Sequence, residues 1–451
     1  MAVVAGVVFF AVRALLALIP GLAVSAPIKK WSAAAALVAA AFYLLLSGAE
    51  VATQRSFFMT AVVLIAVIVD RRAITFRTLA VAAMIVLVMA PEALVHPSFQ
   101  MSFAATLGLV ALVQIGMPRL FATPDHSATA RVALWGGREL VTLLLASLVA
   151  GLATTPYAAF HFHRVTPYGV LANLAAMPVV SALVMPALGL AAMPFGLDGF
   201  FWWLMGIGID WMIVVTEWVA NLPGAIGRMP AFGTGPLIAA SCGIILMGLL
   251  RTPLRWSGAL VLAASIVWAL AVRQPDILIS GDGHTIAVRG KDAKLHLMHS
   301  TKDAFVQKEW LAADADARAT GDASLADGVS CDDAGCVVEM AAGGLVAQSL
   351  RSDALADDCE RAELVVTSRQ PPKDCAAAVI DPARLQRQGA LALWRKADGF
   401  AVDAARPKGF ERPWSPAVAG DSDADTAVIS RPAPLRGRDA TPSEADLQAE
   451  E

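Results

Sequence analysis

The chain has 451 residues, 57% of them hydrophobic, and a formal net charge of −3. It is too apolar to be a wholly soluble enzyme or binding module. Residues 1–273 carry 15 Lys/Arg against 8 Asp/Glu, and residues 274–451 carry 20 against 30; an acidic C-terminal part is electrostatically a poor partner for nucleic acid phosphates.

The first apolar run is not a secretory signal. No basic region precedes 2–10, Arg13 interrupts the run, and no small-residue cleavage site follows in a clean position. The chain is expected to begin already inside a membrane span. Apolar runs then recur near 2–22, 31–48, 56–69, 73–90, 100–117, 138–158, 168–194, 200–222, 233–250 and 256–272. A bilayer core needs about 20 helical residues, so residues 1–273 read as about ten segments of a polytopic α-helical membrane protein. Pro178, Pro186 and Pro194 should kink or break the 168–194 segment, either as a packing feature or to line a cavity.

Loop charges set an orientation. With 70–72 in the cytoplasm, Lys29, Lys30, Arg71, Arg72, Arg77, Arg119, Arg131, Arg138, Arg251 and Arg255 all fall inside. Only Arg55, Arg164 and Arg228 fall in the opposite short loops. That bias follows the positive-inside rule and puts Met1 and the C-terminal domain outside, a conclusion that one miscounted helix in 168–222 would reverse.

Residues 274–416 read as a soluble α/β domain. Strands are expected at 276–280, 285–289, 294–299, 336–341, 345–350 and 363–367, and helices at 304–313 and 382–388. Gly-Asp-Gly at 281–283 fits a hairpin turn. From 417 to 451 the chain is rich in Asp, Ala, Pro and Ser, and a disordered acidic tail is expected. Cys242 sits in an apolar run and reads as a small buried residue. Cys331, Cys336, Cys359 and Cys375 are an even set, which favours disulfides over zinc, since no His lies near Cys331 and Cys336.

Chemistry-bearing motifs are few. No nucleophile elbow, phosphate loop or dinucleotide fingerprint occurs. His284, His296 and His299 lie on an expected hairpin and strand, without the H-x-H-x-D-H loop that a two-metal hydrolase uses. His161 and His163 read as interfacial rather than metal-binding. No catalytic residue, metal or cofactor is therefore assigned. Polar residues inside the apolar runs are costly in lipid: Arg55, Gln100, Gln114, Asn173, Asp210 and Glu217 should face protein or water. Asp210 and Glu217, seven apart on one helix face, suit interfacial amphipathicity as well as a pore.

Three segments carry a resemblance. They are Ser47-Gly-Ala-Glu-Val-Ala-Thr-Gln-Arg55-Ser-Phe-Phe-Met59, then Phe99-Gln100-Met-Ser102-Phe after Ala90-Pro91, then Thr155-Pro156 followed by Asn173-Leu-Ala-Ala-Met-Pro178. Their order and spacing over roughly residues 30–260 resemble the competence domain of ComEC-type DNA-internalisation proteins. The resemblance implies an inner-membrane channel passing single-stranded DNA into the cytoplasm during natural transformation, with other competence proteins as possible partners. It also implies that residues 274–416 are a degenerate metallo-β-lactamase-like domain. With the metal-binding histidine loop missing, that domain is expected to be catalytically dead, and its four cysteines are expected to staple locally as Cys331–Cys336 and Cys359–Cys375. Relative to that family the chain is expected to be N-terminally truncated. Arg55, Gln100 and Asn173 would be the DNA-path residues, or else would cap helix ends and bond across helices. The alternative function is a membrane transporter or scaffold unrelated to DNA, or a non-functional truncated channel.

Overall fold

The computed structural model describes residues 1–19, 21, 25–48, 51–71, 75–115, 128–191, 196, 198–298, 304–372, 374–397, 399–406 and 428–430. The chain divides into two compact units, Met1–Val272 and Arg273–Glu451.

The first unit is helical. In chain order it holds α1 (Ala2–Ala17), α2 (Ile28–Leu46), α3 (Val51–Ile68), α4 (Phe76–Met89), α5 (Pro97–Ile115) and α6 (Ala128–Phe162). There follow α7 (Gly169–Val179), α8 (Met185–Ala191), α9 (Asp198–Ala220), α10 (Thr234–Leu249) and α11 (Arg255–Leu270). Among the described residues, 28–46, 137–162, 169–190 and 198–220 are long and apolar enough to cross a membrane. Five other apolar helices are shorter, 10–17 residues each, so several of the ten expected segments fall short of a full span. Local chemistry trims them. α4 starts at a reciprocal cap between Thr75 and Thr78 and gives way to a 3-10 turn beginning at Pro91. At 1.5 Å per residue its 14 residues cover about 21 Å, short of a hydrocarbon core of about 30 Å.

The proline-rich segment is interrupted where the spacing predicts. A π turn over Val180–Val184 separates α7 from α8. Pro186 cannot donate to the carbonyl of Ala182, inside that turn, and the wider π geometry takes up the mismatch. α9 packs along this broken helix. Its Gly208 and Val215 are buried and the Trp211 indole donates to the Ala175 carbonyl at 3.2 Å.

Two short strands tie distant loops together. β1 (Arg164–Val165), just after α6, pairs antiparallel with β2 (Gly227–Arg228), just before α10. The segment from α7 to α9 therefore leaves one end of the helical unit and returns to it.

α10 and α11 cross where two glycines meet. A Cβ on Gly258 would lie 2.6 Å from the Gly243 carbonyl oxygen, and one on Gly243 would lie 2.9 Å from that of Gly258. Small residues let helix backbones approach closely, which is how packing holds helices together without a hydrophobic driving force. Gly258→Val should destabilise the helical unit by about 1–3 kcal/mol through overpacking. Gly151→Ala, where an added Cβ meets nothing within 4 Å, should be neutral or slightly stabilising. Thermal denaturation in detergent compares the two; equal melting would show that the crossing is not tight.

The second unit is a four-layer sandwich. One sheet has the order β13-β12-β11-β3-β4-β5 and the other β10-β9-β8-β7-β6. The strands of the first are β3 (Ile277–Ile279), β4 (Ile286–Arg289), β5 (Leu295–Met298), β11 (Leu391–Lys396), β12 (Gly399–Ala404) and β13 (Val428–Ser430). Those of the second are β6 (Val329–Cys331), β7 (Gly335–Glu339), β8 (Leu345–Ser349), β9 (Leu364–Thr367) and β10 (Ala378–Ile380). The inner faces share one core, with Ile277, Ile279, Ile286 and Val288 from the first sheet against Val338, Val346, Leu364 and Ile380 from the second. Helix α12 (Ala304–Ala313) covers the first sheet's outer face through Leu311, over Ala287 and Leu297. α13 (Leu355–Arg361) covers the second through Leu355 and Cys359, over Ala347 and Val365. α14 (Pro382–Gln388) closes one end of the inner core through Leu385.

Two expectations are corrected. The tail over 417–451 is not wholly without structure: Val428–Ser430 pairs with β12 and buries Ile429, because the sheet edge supplies partners that the tail's own composition does not. The rest of that stretch lies outside the described residues. Cys242 is exposed on α10 rather than buried, since Ala240 and Gly243 form the packed face.

Candidate functional site

Two of the quoted motif segments, 47–59 and 90–103, pack on one another, and the second also bonds to the end of α6. Pro91–Val95 forms a 3-10 turn and Pro97 opens α5, where a missing N–H is harmless. The Gln100 side chain then turns back and its amide Nε2 donates to the Leu94 carbonyl at 2.9 Å. Its Oε1 lies 2.8 Å from His161 Nε2, near the end of α6. An amide oxygen only accepts, so His161 carries its proton on Nε2. Ser102 on α5 donates to the Met59 sulfur on α3 at 3.7 Å, and Phe58 packs with Phe99 and Phe103. On the neighbouring face Ala104 and Met101 pack on Ala153 and Tyr157 of α6 and Leu237 of α10. The Tyr157 hydroxyl donates to Ser241 Oγ at 3.0 Å.

Gln100 therefore has both polar atoms engaged inside the protein, which makes it a holder of the α5–α6 junction. Asn173 stands half-buried on α7, and among the described hydrogen bonds none joins it to Gln100 or His161. Arg55 is in α3; its side chain lies outside the described set. Gln114 accepts from Arg251 at 2.7 Å, a cross-helix bond between α5 and the segment before α11. Asp210 and Glu217 are exposed on the face of α9 opposite Gly208 and Val215.

One pair escaped the sequence reading. The β1–β2 register sets Arg164 directly opposite Arg228, both exposed. They lie just beyond His161, and Met229 N–H donates to the His163 carbonyl at 3.1 Å. Sixty-odd residues separate the two arginines in sequence, so only the strand pairing brings them together.

In the second unit a cavity of about 210 Å³ opens between the β3–β4 turn and the ends of β8 and β9, lined by Asp282, His284, Gln348, Ser349 and Thr367 among others. Burial raises the Asp282 pKa, but hydrogen bonds from Ser280 Oγ and the His284 N–H outweigh it, and the net shift is downward. His296 pairs with Asp292 at 2.9 Å, and His299 lies outside the described residues. Among the described residues no three His, Cys, Asp or Glu side chains converge to hold a metal.

The arrangement defines a class: a unit of apolar helices, four of them long enough to cross a membrane, joined to a separate β-sandwich. The family model described as Competence protein matches residues 1–254, and the chain belongs to that family. No curated protein and no solved structure matches it. The family match and the apolar helices fit a membrane competence protein.

Proposed function

We propose that this chain forms a path for single-stranded DNA across the bacterial inner membrane during natural transformation. The observation that carries it is the match to the Competence protein family, supported by the packing of segments 47–59 and 90–103 beside the Gln100–His161 bond. A strand-conducting mouth needs polar and basic groups held in place against lipid. Gln100 and His161 supply the hold, and Arg55 and Asn173 are the further path candidates. Deleting the gene in a transformable host should abolish entry of DNA into the cytoplasm while leaving surface capture intact. Unchanged transformation would instead favour a transporter or scaffold, for which the acidic C-terminal unit is the supporting feature.

The C-terminal unit is proposed to be a metallo-β-lactamase-like domain without hydrolase activity, lying outside the cytoplasm. Its helix–sheet–sheet–helix layering supports the fold. Read against H-x-H-x-D-H, His299-Ser-Thr-Lys-Asp303-Ala304 keeps the first His and the Asp and has Thr301 and Ala304 in place of the other two. β5 ends at Met298, opposite Ile286, and residues 299–303 lie outside the described residues. A nuclease assay with Mn²⁺ or Zn²⁺ tests the assignment; metal-dependent cleavage would overturn it.

The strand pair supports the placement. β1 and β2 keep 164–165 and 227–228 on one side, so the crossings between them are even in number and the loop-charge bias carries through to residue 273. Disulfides Cys331–Cys336 and Cys359–Cys375 fit an oxidising compartment. A phosphatase reporter fused after Arg273 should be active outside the cytoplasm and one fused after Arg72 inactive. The reverse pattern would rule the orientation out.

A further inference from the structure

We propose that the cavity in the C-terminal unit is a binding site for a small molecule carrying a primary ammonium group on a short apolar stem. The inference stands apart from the reading of the chain as a DNA path.

The cavity lies past the carboxyl ends of β8 and β9. Those strands run parallel, and open α/β sheets take their ligands at that end. Its volume of about 210 Å³ is below the roughly 300 Å³ at which pockets for drug-sized ligands begin, so the ligand is small. Gln348 lines it and is only 2% exposed. Its Nε2 donates to the Gly283 and His284 carbonyls at 3.0 and 3.2 Å. Carbonyl oxygens only accept, which fixes the orientation of the amide and leaves Oε1 as its open end. Among the described residues nothing donates to that buried oxygen. An unmet buried acceptor is destabilising, and an entering N–H donor relieves it.

The lining sets the sign of the ligand. Burial works against the Asp282 charge, but the Ser280 hydroxyl and the His284 N–H outweigh it and hold the carboxyl below the usual carboxylate range. Both bonds go to Oδ1, so among the described hydrogen bonds none uses Oδ2. No Lys or Arg is among the described lining residues, and His284 is the other titratable group there. A phosphate or a nucleotide would therefore meet a carboxylate without the cationic partners it needs. Two open oxygens also fall short of the about six to eight that Ca²⁺ takes. An ammonium offers three N–H donors and no acceptor, and can meet both. Leu350, Val366 and Leu385 give the stem an apolar wall.

Pulse proteolysis of the full chain in non-ionic detergent across a urea series tests this, with 1,4-diaminobutane as the probe. A ligand that binds only the folded state stabilises it in proportion to the logarithm of its concentration once the site fills. The urea midpoint of the C-terminal unit should rise in that way with the diamine. Tetramethylammonium, charged but without N–H, and inorganic phosphate should leave it unmoved. Asp282→Asn keeps an acceptor for the turn and removes the charge, and Gln348→Met removes the amide oxygen. Each should weaken the diamine about tenfold or more, as expected for losing a hydrogen bond to a charged group. The midpoint without ligand reports the folding of each variant, and Asp282→Asn decides the matter if Gln348→Met does not fold. Absence of a diamine-dependent shift overturns the proposal. So does an equal shift with tetramethylammonium, a shift that Asp282→Asn leaves alone, or a shift given by Mn²⁺ and not by the diamine. Nα-acetyl-lysine amide separates the two sources of an ammonium group: tighter binding than the diamine would overturn the free amine in favour of a lysine side chain.

Discussion

Replacing Asp314 by alanine should destabilise the β-sandwich by about 3–5 kcal/mol, the largest single-residue effect expected in that unit. Asp314 follows α12 and faces Arg289 at the end of β4, with Nη2 2.5 Å from Oδ1 and Nη1 3.1 Å from Oδ2. The side chains are only 10% and 15% exposed. The same guanidinium also donates to the Pro275 and Ala293 carbonyls, so it ties the entry of β3, the β4–β5 turn and α12 to one point. Removing the carboxylate leaves a buried cation short of its counter-charge, and the penalty is mostly that uncompensated charge rather than the worth of the bond. The control follows from the same reasoning. An Arg289→Met/Asp314→Leu double variant removes both charges and should recover most of the loss. Pulse proteolysis of the full chain in detergent across a urea series reads both; a double variant no better than Asp314→Ala would mean that the carbonyl contacts of Arg289 dominate.

Removing the longer disulfide is expected to be nearly as damaging. Cys359 and Cys375 are 16 residues apart and both are buried in the outer cluster under α13. Loop-closure entropy gives about 3 kcal/mol for a loop of that length and about 2 kcal/mol for one as short as Cys331–Cys336. Cys359→Ala/Cys375→Ala should therefore lower the urea midpoint more than Cys331→Ala/Cys336→Ala. Thiol titration of the denatured, unreduced chain should find one reactive thiol, that of Cys242. Five reactive thiols would remove both bridges and, with them, one support for placing the unit outside the cytoplasm.

What could be read beforehand followed from local signals. Helices 304–313 and 382–388 match the structure. The second has Asp381 as a capping residue that accepts from the Arg384 N–H, Pro382 in its first turn, and Gly389 at φ 72° after its end. The alternating strands of the first hairpin were equally legible. β11 was not: Trp394-Arg395-Lys396 looks like a surface loop, yet the strand lies inside its sheet between β12 and β3, its charged end carried by Arg395 bonds to Glu363 and the Gly343 carbonyl. β6 and β10, three residues each, are too short to show a period, and α13 spans only two turns. The membrane site was half legible. Gln100 stands out as a polar residue in an apolar run, but its partner His161 is 61 positions away, a distance that no periodicity spans. The Arg164–Arg228 pair is of the same kind, since strand pairing between remote loops leaves no mark on either.

The four-residue ribbon of β1 and β2 also bears on how this chain could change over generations. Everything between its strands is a round trip. A lineage could lengthen, shorten or lose that excursion as a unit, and the residues after it would keep their sidedness. Gain or loss of a single crossing would instead break the ribbon and reverse the sidedness of everything after it. Variation in this segment is thus constrained to pairs of crossings, however freely the sequence within it drifts.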